Sequence, residues 1–278
     1  MEIGIGLPIS DPARLLEWGR LAEEHRFATV ALLDRLAYDN PEPLTALAVL
    51  AGATTRIRLQ TEVLLGPLRS TPLLAKQVAT LDRMSAGRFV LGIGVGGRAD
   101  DHEMAGVPIT RRGRILDAQL GELRSIWRGE EYRGARVGPL PVTPGGPPIL
   151  IGGFAPEALR RVARFADGFI CAAPLSWAAG LVRTVREQWA EADRDGRPRL
   201  VCQINVAVGD AGTVERGRRA VADYYAFTGR PGWGEPLSDP ALIAETVAAY
   251  REFGADELVL YCYGDNPAQI ETLAEIAH

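Results

Sequence analysis

The chain has 278 residues, a net charge of −4 and 47% hydrophobic residues, enough for a full core in one large domain or two small ones. Its 31 Lys and Arg are scattered and often sit beside Asp or Glu, as in RLAEEHR, which argues against a nucleic-acid surface. Met1-Glu2-Ile3 runs straight into a short apolar stretch without a basic leader or long hydrophobic segment, so no signal peptide or membrane span is expected and the cytoplasm is the expected location.

Short runs rich in Ile, Val and Leu alternate with amphipathic stretches along the chain. The first strand is expected at IGIGL (3–7) before the helical ARLLEWGRLAEEH, and the second at TVALL (29–33) before EPLTALAVLAGAT. The third follows at IRLQTEVLL (57–65) before PLLAKQVATLDRMS, and the fourth at FVLGIG (89–94) before RILDAQLGELRSIW. ILIGG (149–153) precedes PEALRRVARFA, and GFICA (168–172) precedes WAAGLVRTVREQWAEAD. LVCQINVAV (200–208) precedes VERGRRAVADYYAF and ALIAETVAAYREF, and ELVLY (257–261) precedes PAQIETLAEIA.

Strands separated by helices run parallel and need cover on both faces, which is why they read as continuous apolar runs. Eight such units in about 250 residues close a (β/α)8 TIM barrel. An α/β barrel forming a single domain over residues 1–278 is therefore expected, with a doubly wound open sheet as the alternative. The Gly- and Pro-rich stretches 129–147 and 228–240 are long for connectors, so they are candidate lids or pocket walls as well as candidate surface insertions. Cys171, Cys202 and Cys262 lie in apolar runs without C-x-x-C spacing and are expected to be reduced core residues.

Gly92, Gly94 and Gly97 in FVLGIGVGG match G-x-G-x-x-G, the dinucleotide fingerprint, but that motif needs a helix opening at the third glycine and an acidic residue ending the next strand. Here a polar stretch, RADDHEMAGVPITRRGR, follows the fourth strand rather than the first, and Asp117 falls inside a helical pattern. The glycines are read instead as backbone at the barrel mouth that something flat or bulky approaches closely. No G-x-S-x-G, H-E-x-x-H or Walker loop is present. His25 ends a helix, His278 is terminal, and His102 alone falls at a barrel mouth. Asp100, Asp101, His102 and Glu103 are expected to form a solvated acidic loop, with no metal. His102, Glu103, Tyr132, Trp233 and Tyr263 are candidate substrate-pocket residues.

Three blocks carry a resemblance: VALLDRLAYDNPEPLTALAVLAGATTRIRLQTEVLLGPLRSTPLLAKQVATLDRMSAGRFVLGIGVGG, HEMAGVPITRRGRILDAQLGELRSIW and PPILIGGFAPEALRRVARFADGF. In order and spacing they resemble the luciferase-like monooxygenases and their deazaflavin-dependent relatives, which are (β/α)8 barrels, over almost the whole chain. The resemblance implies a flavin or the deazaflavin F-420 at the barrel mouth. That mouth would be lined by Leu7 and Pro8, Asp34 and Arg35, Glu62 and Val63, and Gly94 to Gly97 with Gly96 between them, and by Gly152 and Gly153. It also implies a non-proline cis peptide and bulge within Thr61-Glu62-Val63-Leu64, supporting one face of the ring. Members usually have a small residue where this chain has Glu62, whose carboxylate would crowd the ring or act in the pocket as an acid or base.

The cofactor phosphate would meet Gly152, Gly153 and the start of the following helix. Phe154 and Ala155 stand where members often have a Ser-Gly pair, so a hydroxyl donor is missing. Asp34 and Arg35 fall where some deazaflavin enzymes have a catalytic histidine, and Arg35 would instead hold negative charge on the reduced ring or on a substrate carboxylate. The function implied is F-420-dependent hydride transfer to or from a small organic substrate. Alternatives are an FMN-dependent monooxygenase served by a partner reductase, a cofactor-free barrel acting as a binding protein, and a hydrolase pairing Glu62 with Asp265. The resemblance implies a homodimer, and a bulky side chain at Gly96 is expected to block the cofactor without unfolding the barrel.

Overall fold

The computed structural model describes residues 1–7, 12–230 and 232–277. Within them β1 (Glu2–Gly6) is followed by α1 (Leu15–Glu24), and β2 (Thr29–Leu32) by α2 (Pro43–Ala53). β3 (Arg58–Thr61) and β4 (Leu64–Leu65) lead to α3 (Thr71–Met84), and β5 (Phe89–Gly94) leads to α4 (Ala99–Met104) and α5 (Arg112–Trp127). β6 (Ile149–Gly152) precedes α6 (Pro156–Phe165), and β7 (Gly168–Cys171) precedes α7 (Leu175–Glu191). β8 (Arg199–Val206) precedes α8 (Ala211–Tyr225) and α9 (Pro240–Phe253), and β9 (Glu257–Cys262) precedes α10 (Gln269–Ala277).

The strand order is β3-β2-β1-β9-β8-β7-β6-β5-β4, and β3 also pairs with β5. Every pairing is parallel. Because β3 and β4 are the two halves of the expected third strand, the sheet closes as an eight-stranded barrel, and the open-sheet alternative is excluded.

Alternation along each strand divides the core in two. Outward residues such as Ile5, Leu32, Leu59, Leu91, Ile151, Phe169 and Leu260 pack under the helices. Inward residues, among them Ala31, Val90, Leu150, Ile170, Val201 and Val259, fill the barrel. All three cysteines are free and buried, and each lies on the outward face. At the N-terminal end of the barrel Glu257 is buried, and Arg58 and Arg199 bind it and Glu2 in a bridging cluster.

The two long loops lie at opposite ends. Residues 129–147 run from the end of α5 to the start of β6, which places them at the N-terminal end of the barrel, away from the mouth. There Thr143 donates to Asp82 through its N–H and hydroxyl, and the Lys76 ammonium donates to the Gly138 carbonyl. This segment is fastened to α3 away from the mouth, so of its two readings the surface insertion holds and the lid or pocket wall does not. Tyr132 goes with it, bonded to Ala135 in the same loop. Of the segment 228–240, Leu237 reaches the mouth, where it exchanges backbone bonds with Asn205 and Ala207 at the end of β8. Pro8 and His278 lie outside the described residues.

Glycine is required where strands approach. A Cβ on Gly92 would stand 1.9 Å from the Thr61 carbonyl oxygen, which is backbone and has little room to yield. Gly92→Ala should lower stability by about 3 kcal/mol or more in urea unfolding. Gly52→Ala, in α2 with open space around it, should raise stability by up to about 1 kcal/mol. Equal midpoints for the two variants would contradict this packing.

Candidate functional site

The site begins with a count along the third strand. Gln60 pairs with Val90, whereas Leu64 pairs with Ile93, so the third strand carries one more residue than its neighbour between these pairings. That is a β-bulge, and it re-aims the residues within it. The Glu62–Val63 peptide in the bulge is cis. Backbone groups displaced from the ladder find substitutes: the Thr61 hydroxyl donates to the Gly92 carbonyl at 2.7 Å, and the Leu65 N–H donates to Asp34 at 2.9 Å. Arg69 holds the same Asp34 oxygen at 3.0 Å and reaches Glu42 at 2.8 Å. Asp34 therefore anchors the bulge.

The bulge turns Val63 toward the two neighbouring strands. A Cβ on Gly94 or on Gly152 would come within 2.9 Å of a Val63 methyl, so both positions must stay bare for Val63 to lie between them. Above it opens a cavity of about 570 Å³, lined by Glu62, Val63, Gly94 to Gly97, Gly152 to Ala155, Ile170, Ala172 and Gln203. Its far end is polar and basic, with Thr110, Arg112 and Arg161. Asp117 of α5 binds the Arg161 Nε at 2.5 Å, and Arg161 is buried. α6 starts at this end with Pro156 in its first turn and no side-chain cap, so its N-terminal dipole faces the cavity uncapped by a side chain. Glu157 lines the same end, paired with Arg160 at 2.9 Å.

The other half of the mouth is closed by aromatic rings. Tyr38, Tyr224, Tyr225, Tyr261 and Tyr263 form a chain of edge and tilted contacts with centroids 4.9–6.4 Å apart. The Arg98 guanidinium lies 4.6 Å from the Tyr224 ring centroid and 3.8 Å from that of Phe227, close enough for cation–π attraction. Arg35 is buried here and spends its fork on Asp101 at 2.6 Å and Asp100 at 3.1 Å.

A model of the luciferase-like monooxygenases matches residues 3–237. The chain belongs to the luciferase-like monooxygenase family. It is 32% identical over 175 residues to F420-dependent glucose-6-phosphate dehydrogenase of Nakamurella multipartita, covering 57% of this chain and 52% of that protein. Matched stretches span 60% or less of the curated relatives' own lengths. An F420-dependent secondary alcohol dehydrogenase solved with an F420-acetone adduct superposes with a TM-score of 0.84 at 16% identity, over 99% of this chain and 97% of that one. The oxygenating constituent of 3,6-diketocamphane monooxygenase of Pseudomonas putida, solved with FMN, superposes with a TM-score of 0.71 at 18% identity, over 100% and 97%. At these identities the two structural likenesses concern the fold.

Within this luciferase-like barrel, Glu62, Val63, Gly94, Gly96, Gly97, Gly152, Gly153, Phe154 and Ala155 come together around one cavity. Leu7 does not join them; it is buried beneath the helices. Asp34 and Arg35 brace the loops around the cavity without lining it. The acidic stretch is not a solvated loop: it is the short helix α4, in which Asp101 is buried because it accepts from Arg35 and from the Leu36 and Ala37 N–H groups. His102 is buried as well, with its Nε2 3.0 Å from the Val95 carbonyl, and Glu103 is exposed. Trp233 leans on Trp177 and lines a second cavity of about 550 Å³ together with Arg230, Gly232 and Glu235, and Tyr263 belongs to the ring cluster. Arg161 and Gln203 were missed, although each leaves a trace, a polar residue on the apolar face of its helix or strand.

Glu62 is the carboxyl of the cavity lining that is strongly perturbed. One oxygen accepts from the Gln60 amide at 3.0 Å, while Oε1 is buried without a partner. Burial pushes its carboxyl up to about 8; the Gln60 bond opposes this and Glu257 adds to it. Between the ordinary value of 4.5 and about 8 the folded chain keeps a proton that the unfolded chain releases. Stability from this group is therefore complete below the lower value and is lost as pH rises through the upper one. Glu62→Gln should flatten that decline and be more stable than the wild type by a few kcal/mol above pH 8. Parallel stability curves for the two proteins in urea titrations across this window would contradict the assignment.

Proposed function

We propose that this protein is an F420-dependent oxidoreductase that moves a hydride between the deazaflavin and a small organic molecule. The observation that carries the reading is the mouth cavity itself: a bare-backbone wall on one side, Val63 as its floor, and a basic end at the start of α6. The residues fit the group. Gly97 lines the cavity, and a Cβ there would meet nothing within 4 Å, so the wall is open to a flat ring. Glu62 does not obstruct it, because its side chain is tied down to Gln60 and the floor is Val63.

The deazaflavin, when bound, supplies a two-electron hydride donor or acceptor. This chain's residues do the rest. Val63 and the glycine wall present a flat apolar surface; Arg161, oriented by Asp117, with Arg112 and the α6 terminus, suits the anionic phosphodiester. The tyrosine cluster shields the neighbouring half of the mouth from water, which strengthens electrostatic contacts within it. Asp34 and Arg35 act as positioning residues, through Leu65 and α4 respectively.

The preference for F420 rests on the sequence relative whose name carries that cofactor. The FMN monooxygenase reading, with a partner reductase, is the second and is supported by likeness of fold. The hydrolase pairing fails, since Asp265 is half exposed and bound to Arg216 at 2.9 Å, outside the cavity.

Titration of the purified protein with F420 and with FMN, followed by fluorescence, should show saturation by F420 in the low micromolar range and weaker binding of FMN. Tighter binding of FMN selects the second reading, and binding of neither at tens of micromolar contradicts both. Gly96 is a poor probe because its φ is +74° and a Cβ would press on His102 at 3.1 Å and Leu65 at 3.3 Å. Gly97→Phe, at an open position, should abolish cofactor binding while leaving the thermal midpoint within about 2 °C. Retained binding would place the cofactor elsewhere.

A further inference from the structure

Helix α5 begins against its own dipole. Arg111 stands at its N-cap position with no side-chain cap bond, Arg112 and Arg114 follow in its first turn, and no acidic residue accompanies them there. Partial positive charge gathers at a helix start, so cations are unfavourable at that place and anions are favoured. Three guanidinium groups in this position call for negative charge from outside the helix.

The neighbouring side chains do not supply it. The ion pairs at this end of the mouth cavity join Arg161 to Asp117 and Arg160 to Glu157, and each is balanced within itself. Among the described residues no ion pair includes Arg111, Arg112 or Arg114, and Arg112 donates to the neutral carbonyl of Ile109 in the turn before it.

A second feature marks this end as built for a ligand. Arg161 of α6 has a side chain only 10% exposed. Asp117 holds its Nε, while its two terminal nitrogens make no hydrogen bond among the described residues. Gly113 stays bare to admit this guanidinium, since a Cβ there would lie 2.6 Å from Arg161 Nη2. The starts of α5 and α6 therefore meet around one buried cation, and Thr110, Arg112, Gly113, Ala155, Glu157 and Arg161 line the same end of the cavity.

Charge decides what extends from here. A phosphodiester carries one negative charge, which Arg161 and the α6 terminus suit by themselves. The three arginines of α5 are then left over. Thr110 is an exposed residue of the cavity lining, and Arg114 follows it by four positions, so the helix face that starts at the rim carries Arg114 one turn on. An anionic chain leaving the cavity at Thr110 runs along that turn.

Resting on the F420 reading above, we propose that the first turn of α5 is a subsite for the carboxylate-bearing tail that continues past the phosphodiester of F420, and that it makes this protein selective for long-tailed forms of the cofactor. FMN ends at its phosphate and has nothing to place there.

The test compares two forms of the cofactor by fluorescence titration, F420 with a single tail glutamate and F420 with about five, the readout being the ratio of their affinities. The wild type should bind the longer form about 10-fold more tightly at low salt, as several exposed ion pairs together provide. That ratio should fall toward one at about 0.5 M salt, where exposed charges are screened. It should also fall toward one in Arg111→Ala/Arg114→Ala, drop below one in Arg111→Glu/Arg114→Glu, and survive in Arg111→Lys/Arg114→Lys, which keeps the charge. The salt series needs no variant, so a substitution that unfolds the protein leaves it decisive. A wild type that binds both forms equally, or a ratio that is unchanged by salt or by the alanine substitutions in a folded variant, overturns the subsite and leaves the F420 reading standing. A wild type that binds neither form overturns both.

Discussion

One extra residue in the third strand is the constraint on which the site depends. Without it, β3 would run on in register with β5 and there would be no displaced peptide at Glu62–Val63. With it, three compensations follow: the Thr61 hydroxyl takes over the Gly92 carbonyl, Asp34 receives the Leu65 N–H, and Val63 settles against the bare backbone of Gly94 and Gly152. Each removes a cost that the bulge creates, an unpaired backbone group or a void. The floor of the cavity and the buried carboxyl beside it are both products of that displacement.

The mouth of the barrel is divided between two materials. On the side of β4, β5 and β6 it is backbone and Val63, leaving space; on the side of β9 and α8 it is tyrosine, leaving little. Charge is divided as well, with Arg112 and Arg161 at the α6 end, beside Asp117 and Glu157, and the Glu62 carboxyl at the floor. Arg35 and Arg98 are absorbed by the tyrosine side, through Asp100, Asp101 and the rings of Tyr224 and Phe227. A ligand with an anionic end and a flat neutral end matches this arrangement in one orientation only.

The repeat of strand and helix was legible because parallel strands buried on both faces read as near-continuous apolar runs, although IRLQTEVLL and LVCQINVAV are interrupted by polar residues. The glycines after the fourth strand and the oddity of Glu62 were legible too, since both break the expected side-chain pattern. What could not be read is where a polar side chain spends its bonds. Arg35 looks free in the sequence, but its partner Asp101 is 66 positions away. Asp34 looks like half of a surface turn, yet it receives a backbone N–H from β4. Asp101 and His102 sit in a run of acidic residues that is polar by composition and buried by its long-range partners. The loop at 129–147 could be read from its length as a wall of the mouth or as a surface insertion; a connection from a helix to the next strand must lie at the end opposite the mouth, which selects the second.

The cofactor floor proposed for the bulge is open to direct observation. A crystal structure of the protein with F420 measures it directly. The deazaflavin ring is expected against Val63, between Gly94 and Gly152, with its phosphodiester within hydrogen-bond distance of Arg161 or the first turn of α6. A ring bound instead beside Trp177 and Trp233, or a cavity over Val63 that stays empty in a crystal saturated with F420, would contradict it.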